Sequence, residues 1–171
     1  GYLLVNNGKG EFSNETIQMA PELLELGMIT DARWVDMDND SDLDLVIVGE
    51  FMGVEVFQNT SGKLIKWNNH PLSSFKGWWN KLQEVDIDND GDLDLIVGNH
   101  GLNSRFRASE QQPIQLFLND FDQNGSIEGI LTFRAENGKD YPYALRHNLI
   151  DQIKKLKKKY PDYESFKDQD Y

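Results

Sequence analysis

Apolar residues fall in short β-branched runs over most of this chain, and at helical spacing only near its end. "LDLVIVGEF" from Leu43 and "LDLIVGNH" from Leu93 each predict a strand, closing at Gly49 and Gly98. "GVEVFQNTSGKLIKW" predicts a strand through Val54 and Val56, a turn at Thr60-Ser61-Gly62 and a second strand. The N-terminal "YLLVNNGKGEF" has the same shape: an apolar run, an Asn-Asn-Gly-Lys-Gly turn, then Phe12. It reads as the tail of a repeat unit, so the chain is expected to start in mid-repeat as a fragment of a longer protein. In "ALRHNLIDQIKKLKKKY" the residues Leu145, Leu149, Ile153, Leu156 and Tyr160 share one helical face, between Pro142 and Pro161. Lys154, Lys155, Lys157, Lys158 and Lys159 gather at its end, where cations suit the helix dipole. They read as a solvated face, with an anion-binding face as the alternative.

Each predicted strand after the first follows a crowded acidic stretch. Asp36, Asp38, Asp40, Asp42 and Asp44 map onto Asp86, Asp88, Asp90, Asp92 and Asp94 at a constant offset of 50 residues. A looser copy, "DFDQNGSIEGILTF", begins at Asp120, 34 residues after the second. A fixed period of that length points to an array or a propeller.

With 171 residues, 39% of them hydrophobic, the chain has material for one modest core. Its net charge of −12 disfavours nucleic acid and anionic membrane surfaces and favours cations as partners. The lack of cysteine excludes disulfides, thiol catalysis and thiolate metal sites. No apolar run reaches membrane-spanning length and no signal peptide is visible, so an export signal would lie outside this sequence.

Carboxylates this crowded repel one another unless something compensates, and a hard cation does so. Calcium takes six to eight oxygens, and an Asp-x-Asp-x-Asp loop curls alternate side chains onto one ion. On that spacing the first loop offers Asp36, Asp38, Asp40, the carbonyl of Asp42, and Asp44. The second offers Asp86, Asp88, Asp90, the carbonyl of Asp92, and Asp94. The third offers Asp120, Asp122, Asn124, the carbonyl of Ser126, and Glu128. The side chains of Asp42 and Asp92 are expected to face outward. Gly91 and Gly125 hold the sharp turn at position 6, where the first loop has Ser41. An EF-hand needs a bidentate Glu at position 12, but Ile47, Val97 and Leu131 stand there, so these sites close at position 9. Acidic turns without metal are the competing reading, which three loops in register disfavour. Charge and turn residue rank the sites second, first, third in affinity.

The loop Asp-x-Asp-x-Asp-Gly-x-x-Asp-Leu, the strand ending in Val-Gly, and the following "VFQNTSG" or "LLVNNGKGEF" resemble the FG-GAP/VCBS repeat. Such repeats form the blades of integrin-alpha-like β-propellers. "GWWNKLQEVDIDNDGDLDLIVGNHGLNSRFRAS" with "NDFDQNGSIEGILTF" is further similar to the bacterial, ASPIC/UnbV-associated cell-surface kind. The resemblance implies an all-β fold, a partial β-propeller of about three blades over residues 1–140, and a C-terminal helical segment or insertion over 141–171. Phe-Gly and Gly-Ala-Pro are themselves absent, with "VGE" and "VGN" standing in for the latter. An incomplete propeller leaves sheet edges open, which are expected to meet missing blades or a partner chain. Some members carry an RNA-binding label, which the acidic balance does not support.

Two further features bear on function. Trp78 and Trp79 in "GWWN", with Trp34 and Trp67, offer sugar-stacking surfaces if exposed and core packing if buried. His70, His100 and His147 lie in unrelated contexts and no catalytic motif occurs; His100, after a predicted strand, is read as a loop histidine. The expectation is a calcium-binding, non-enzymatic module of an exported protein, extracellular, cell-surface or periplasmic. It would bind up to three Ca2+ and another protein, the alternatives being a carbohydrate-binding module or an accessory domain of an enzyme. Three calcium ions would take the net charge from −12 to about −6.

Overall fold

The computed structural model describes residues 1–101, 103–167 and 169, so the last part of the 141–171 segment, at 168, 170 and 171, lies outside the described residues. The fold is mostly β with short helices, in three sheets, none of them a closed barrel among the described residues. The chain divides into two compact units, residues 1–101 and 102–171.

The first unit opens with a hairpin, β1 (Leu4–Asn6) against β2 (Phe12–Asn14). Its turn is the expected Asn-Asn-Gly-Lys-Gly stretch: the Asn6 Oδ1 accepts from Gly8 N and Gly10 N, and both glycines take positive φ. A one-turn helix α1 (Thr16–Met19) follows, with the buried Thr16 hydroxyl accepting from Leu3 N at 2.8 Å.

The next four strands form an antiparallel meander: β3 (Met28–Val35), β4 (Asp44–Met52), β5 (Glu55–Thr60) and β6 (Lys63–Lys66). The β5–β6 turn places Ser61 and Gly62 at φ 53° and 83°, the conformation a two-residue hairpin needs to match strand twist. β4 sits between two cores. Leu45 and Ile47 face Leu23, Met52, Phe57 and Leu64, while Val46 and Val48 face Val35, Val54 and Leu82. Burial on both faces is why this strand is apolar throughout rather than alternating. It also runs past the expected end at Gly49. That glycine is inside the β3–β4 pairing, where a side-chain Cβ would stand 2.2 Å from the Met28 carbonyl oxygen.

β7 (Gly77–Val85) and β8 (Asp94–Asn99) repeat the β3–β4 pair, and β7 also pairs with the end of β4. The repeat extends to irregularities: β3 bulges between Ile29 and Asp31, and β7 bulges between Trp79 and Lys81, at the same offset of 50. The two bulges meet. Asp31 accepts from Leu82 N at 3.1 Å and Ala32 N at 3.0 Å, and pairs with Lys81 and Arg33, both at 3.0 Å. Thr30 Oγ1 donates to the Trp79 carbonyl at 2.9 Å.

The second unit is a three-stranded meander, β9 (Ile114–Asn119), β10 (Glu128–Arg134) and β11 (Asp140–Pro142), followed by α2 (Arg146–Gln152) and α3 (Leu156–Lys159). Leu149 and Ile153 are buried against Ile130, with Phe117, Phe121 and Leu156 around them. The expected single helix is thus two. Leu145 has extended backbone ahead of α2 and is exposed, and Ile153 leaves helical geometry at φ −117°, ψ 83°. The lysines at 154, 155, 157, 158 and 159 are all exposed.

Burial alone would raise the Asp31 carboxyl, but the Leu82 N–H, Lys81, the Ala32 N–H and Arg33 outweigh it and bring it from 3.8 to about 2. A depressed carboxylate contributes stability above its unfolded value and loses it as pH falls toward the folded one. Asp31→Asn is therefore expected to destabilise the chain by about 2 kcal/mol at pH 7. The difference from wild type should vanish between pH about 4 and about 2. Urea unfolding at a series of pH values checks this, and an equal difference at pH 7 and pH 2 would refute the carboxylate's role.

Candidate metal centres

Three loops join β3 to β4, β7 to β8 and β9 to β10, and each carries one of the acidic stretches. Their backbones are copies. Position 4 has positive φ in all three, at Asn39 (58°), Asn89 (61°) and Gln123 (59°). So does position 6, at Ser41 (75°), Gly91 (97°) and Gly125 (89°). Left-handed backbone is free for the glycines and strained for Ser41, so the first loop folds at a local cost that its neighbours avoid.

The carboxylates shape these loops by accepting backbone N–H groups, in one pattern. At position 1, Asp36 accepts from Asp40 N and Ser41 N, Asp86 from Gly91 N, and Asp120 from Asn124 N and Gly125 N, at 2.9 to 3.2 Å. At position 5, Asp40, Asp90 and Asn124 accept from Asp42 N, Asp92 N and Ser126 N, at 2.8 to 3.0 Å. At position 9, Asp44, Asp94 and Glu128 accept from Met37 N, Ile87 N and Phe121 N, at 2.9 to 3.0 Å. The Asp120 carboxyl lies below the usual carboxylate range, chiefly because the Gly125 N–H favours its charged form.

These bonds leave oxygen atoms converging. Ligand atoms of Asp36, Asp38 and Asp40 lie within 4.8 Å of one another, as do those of Asp86, Asp88 and Asp90. In the third loop the carboxylates so gathered are Asp120, Asp122 and Glu128, because position 5 is an amide there and Glu reaches further than Asp from position 9. Asp86 Oδ1 and Asp122 Oδ1 are buried without a hydrogen-bond partner. A buried carboxylate oxygen is costly to leave unpaired, so these two atoms are where a cation fits. The donor set, oxygen only and anionic, suits a hard divalent ion. Asp42, Asp92 and Ser126 are exposed, and each contributes its N–H to position 5.

Residues 36–97, from the first loop through β8 as far as Val97, match the family model described as FG-GAP-like repeat. This segment is an FG-GAP-like repeat. No curated protein and no solved structure matches the chain. The matched span holds two of the loops and the meander between them, and the third loop lies beyond it.

Within the FG-GAP-like repeat, position 9 differs between the two loops. Asp44 is 1% exposed and its second oxygen accepts from Asn59 N at 2.8 Å, so it ties the loop to β5 as well. Asp94 is exposed and has no β5 counterpart in the repeat that contains it. Asn59 also donates to the Leu43 carbonyl, and Gln58 Nε2 donates to Asp38 Oδ2 at 2.9 Å. Spacing within the loops gave no sign of these two helpers. The signal lay in "VFQNTSG", the segment that carries part of the family resemblance.

The other candidate residues have structural employment. Trp78 lies between Phe51 and His100, with ring centroids 5.1 and 4.7 Å away. Trp79 packs on the Val46–Val48 core and donates its Nε1 to the Phe75 carbonyl. Both are half-buried, Trp67 packs on His70, and Trp34 is the exposed one of the four. His70 caps the turn Pro71–Ser74 by accepting from Leu72 N, and His147 bonds the Tyr163 hydroxyl.

Removing the Asp44 carboxylate strands two backbone N–H groups at once. Asp44→Ala is expected to cost about 3 kcal/mol even in metal-free buffer, and Asp94→Ala less than about 1 kcal/mol. Urea unfolding in EDTA measures both, and equal losses would contradict the asymmetry.

Proposed function

We propose that this chain is a calcium-stabilised, propeller-type module of an exported protein, non-catalytic, and serves as a scaffold for binding another protein. The observation that carries the proposal is the repetition of one carboxylate-lined loop at three strand junctions, two of them holding a buried oxygen without a donor. Asp36, Asp38, Asp40 and Asp44, with the Asp42 carbonyl, would hold the first ion. Asp86, Asp88, Asp90 and Asp94, with the Asp92 carbonyl, would hold the second. Asp120, Asp122, Asn124 and Glu128, with the Ser126 carbonyl, would hold the third. The ions would neutralise the loops and fix the turn from one strand to the next. Calcium is preferred to magnesium because it accepts six to eight oxygens in flexible geometry, whereas magnesium keeps its waters.

The FG-GAP-like repeat supports a β-propeller-like interaction module. A protein partner is preferred to a glycan because Trp78 and Trp79 are engaged in packing. Exposed Leu43, Leu93 and Ile127 recur at loop position 8, beside the proposed ions, and supply apolar contacts of the kind protein partners use. No described helix is long and apolar enough to cross a membrane. Extracellular, cell-surface or periplasmic placement follows from the reading, since weak calcium sites fill only where calcium is abundant.

Thermal unfolding in EDTA, in millimolar calcium and in millimolar magnesium tests the proposal. Calcium should raise Tm by about 5 to 10 °C, and magnesium by clearly less. Identical curves in EDTA and calcium would overturn it.

A further inference from the structure

Lys155 stands in the turn between α2 and α3, and its ammonium donates to the backbone carbonyl of Asp122. Asp122 is position 3 of the third loop, whose carboxylates at Asp120, Asp122 and Glu128 converge within 4.8 Å. The lysine's charge also bears on Asp120, adding to the effect of the Gly125 N–H. In the first loop, by contrast, the donor reaching position 3 from outside is the neutral amide of Gln58.

Lys155 is held where it is by the residues around it. Ile153, two residues earlier, is buried against Leu149 and Ile130, and Leu156, one residue later, packs on the same cluster. Phe121, position 2 of the third loop, belongs to that cluster too. The apolar core therefore fixes both the loop and the turn that carries the lysine. An ordinary exposed lysine is a mobile, well-screened charge, whereas this one is tethered on both sides next to the ligand set.

We infer that Lys155 is the third loop's own counter-cation, which competes with a divalent ion there and makes that loop weaker than the first two. The inference rests on the calcium reading above and concerns the third loop alone. Three carboxylates stand in that loop against five in each of the others, and Lys155 reduces its charge from −3 to −2. A unit charge about 5 Å from a divalent ion in a water-like medium lowers affinity by about tenfold. Calcium entry would also displace the ammonium from Asp122, which couples occupancy of the loop to the turn between the two helices.

The position-6 glycines give each loop a separate reporter, because Gly91 N–H and Gly125 N–H are bonded to the position-1 carboxylates. Calcium titrations of the 15N-labelled chain, followed at these two amides, are compared for wild type, Lys155→Met and Lys155→Gln, with Lys157→Met as a charge control on exposed α3. Both Lys155 variants should lower the Gly125 midpoint about tenfold and leave the Gly91 midpoint in place, and the difference should shrink in about 1 M salt. A Gly125 midpoint that stays or rises in both variants would overturn the inference, as would an equal drop in Lys157→Met. If neither glycine responds up to on the order of 10 mM calcium, the calcium reading itself falls.

Discussion

The bond from the position-9 carboxylate back to the position-2 N–H is the constraint on which the rest of the structure depends. It closes each acidic loop and, in the same stroke, sets where the next strand begins. In the first loop Asp44 does this from a buried site and also holds β5 through Asn59 N. One carboxylate thus fixes three things: the end of the loop, the start of β4 and the register of β5. The apolar run that follows can then be buried on both faces, because its polar backbone is paired on either side and its first residue is anchored.

The same economy governs how one repeat meets the next within the first unit. Bulges at equivalent positions in β3 and β7 would each leave backbone groups unpaired. The Asp31 carboxylate takes the Leu82 N–H from one of them, and Thr30 bonds the Trp79 carbonyl from the other side. Asp31 and Lys81 occupy equivalent positions of successive repeats, yet they bear opposite charges and pair with each other. A homogeneous repeat would put like charges at this contact. Divergence at this one position is what lets two copies sit side by side.

In the second unit, packing supplies what short elements lack. α2 and α3 are too short to be stable alone, and they persist because Leu149 and Ile153 are buried against β10. That docking brings a basic turn to an acidic loop, the kind of juxtaposition that ties a surface segment to the chemistry of a site. The loop's backbone remains that of the other two, since left-handed positions 4 and 6 and the carboxylate-to-amide bonds are all local.

The sequence by itself determined the strands, the hairpin turns, the three loops and which residues converge in them. These are local matters: alternate side chains in a curled loop share a face, and Asn, Gly and Asp carry their turn geometry with them. Only the tertiary structure decided that Gly49 lies inside a pairing, that the last helical pattern splits at Ile153, and that Trp78 and Trp79 are packed. It likewise decided that Gln58, Asn59 and Lys155 serve the loops from outside. Each of those contacts joins residues far apart in the chain or depends on what covers a surface, and no periodicity along the sequence records which distant backbone will arrive within a hydrogen bond's reach.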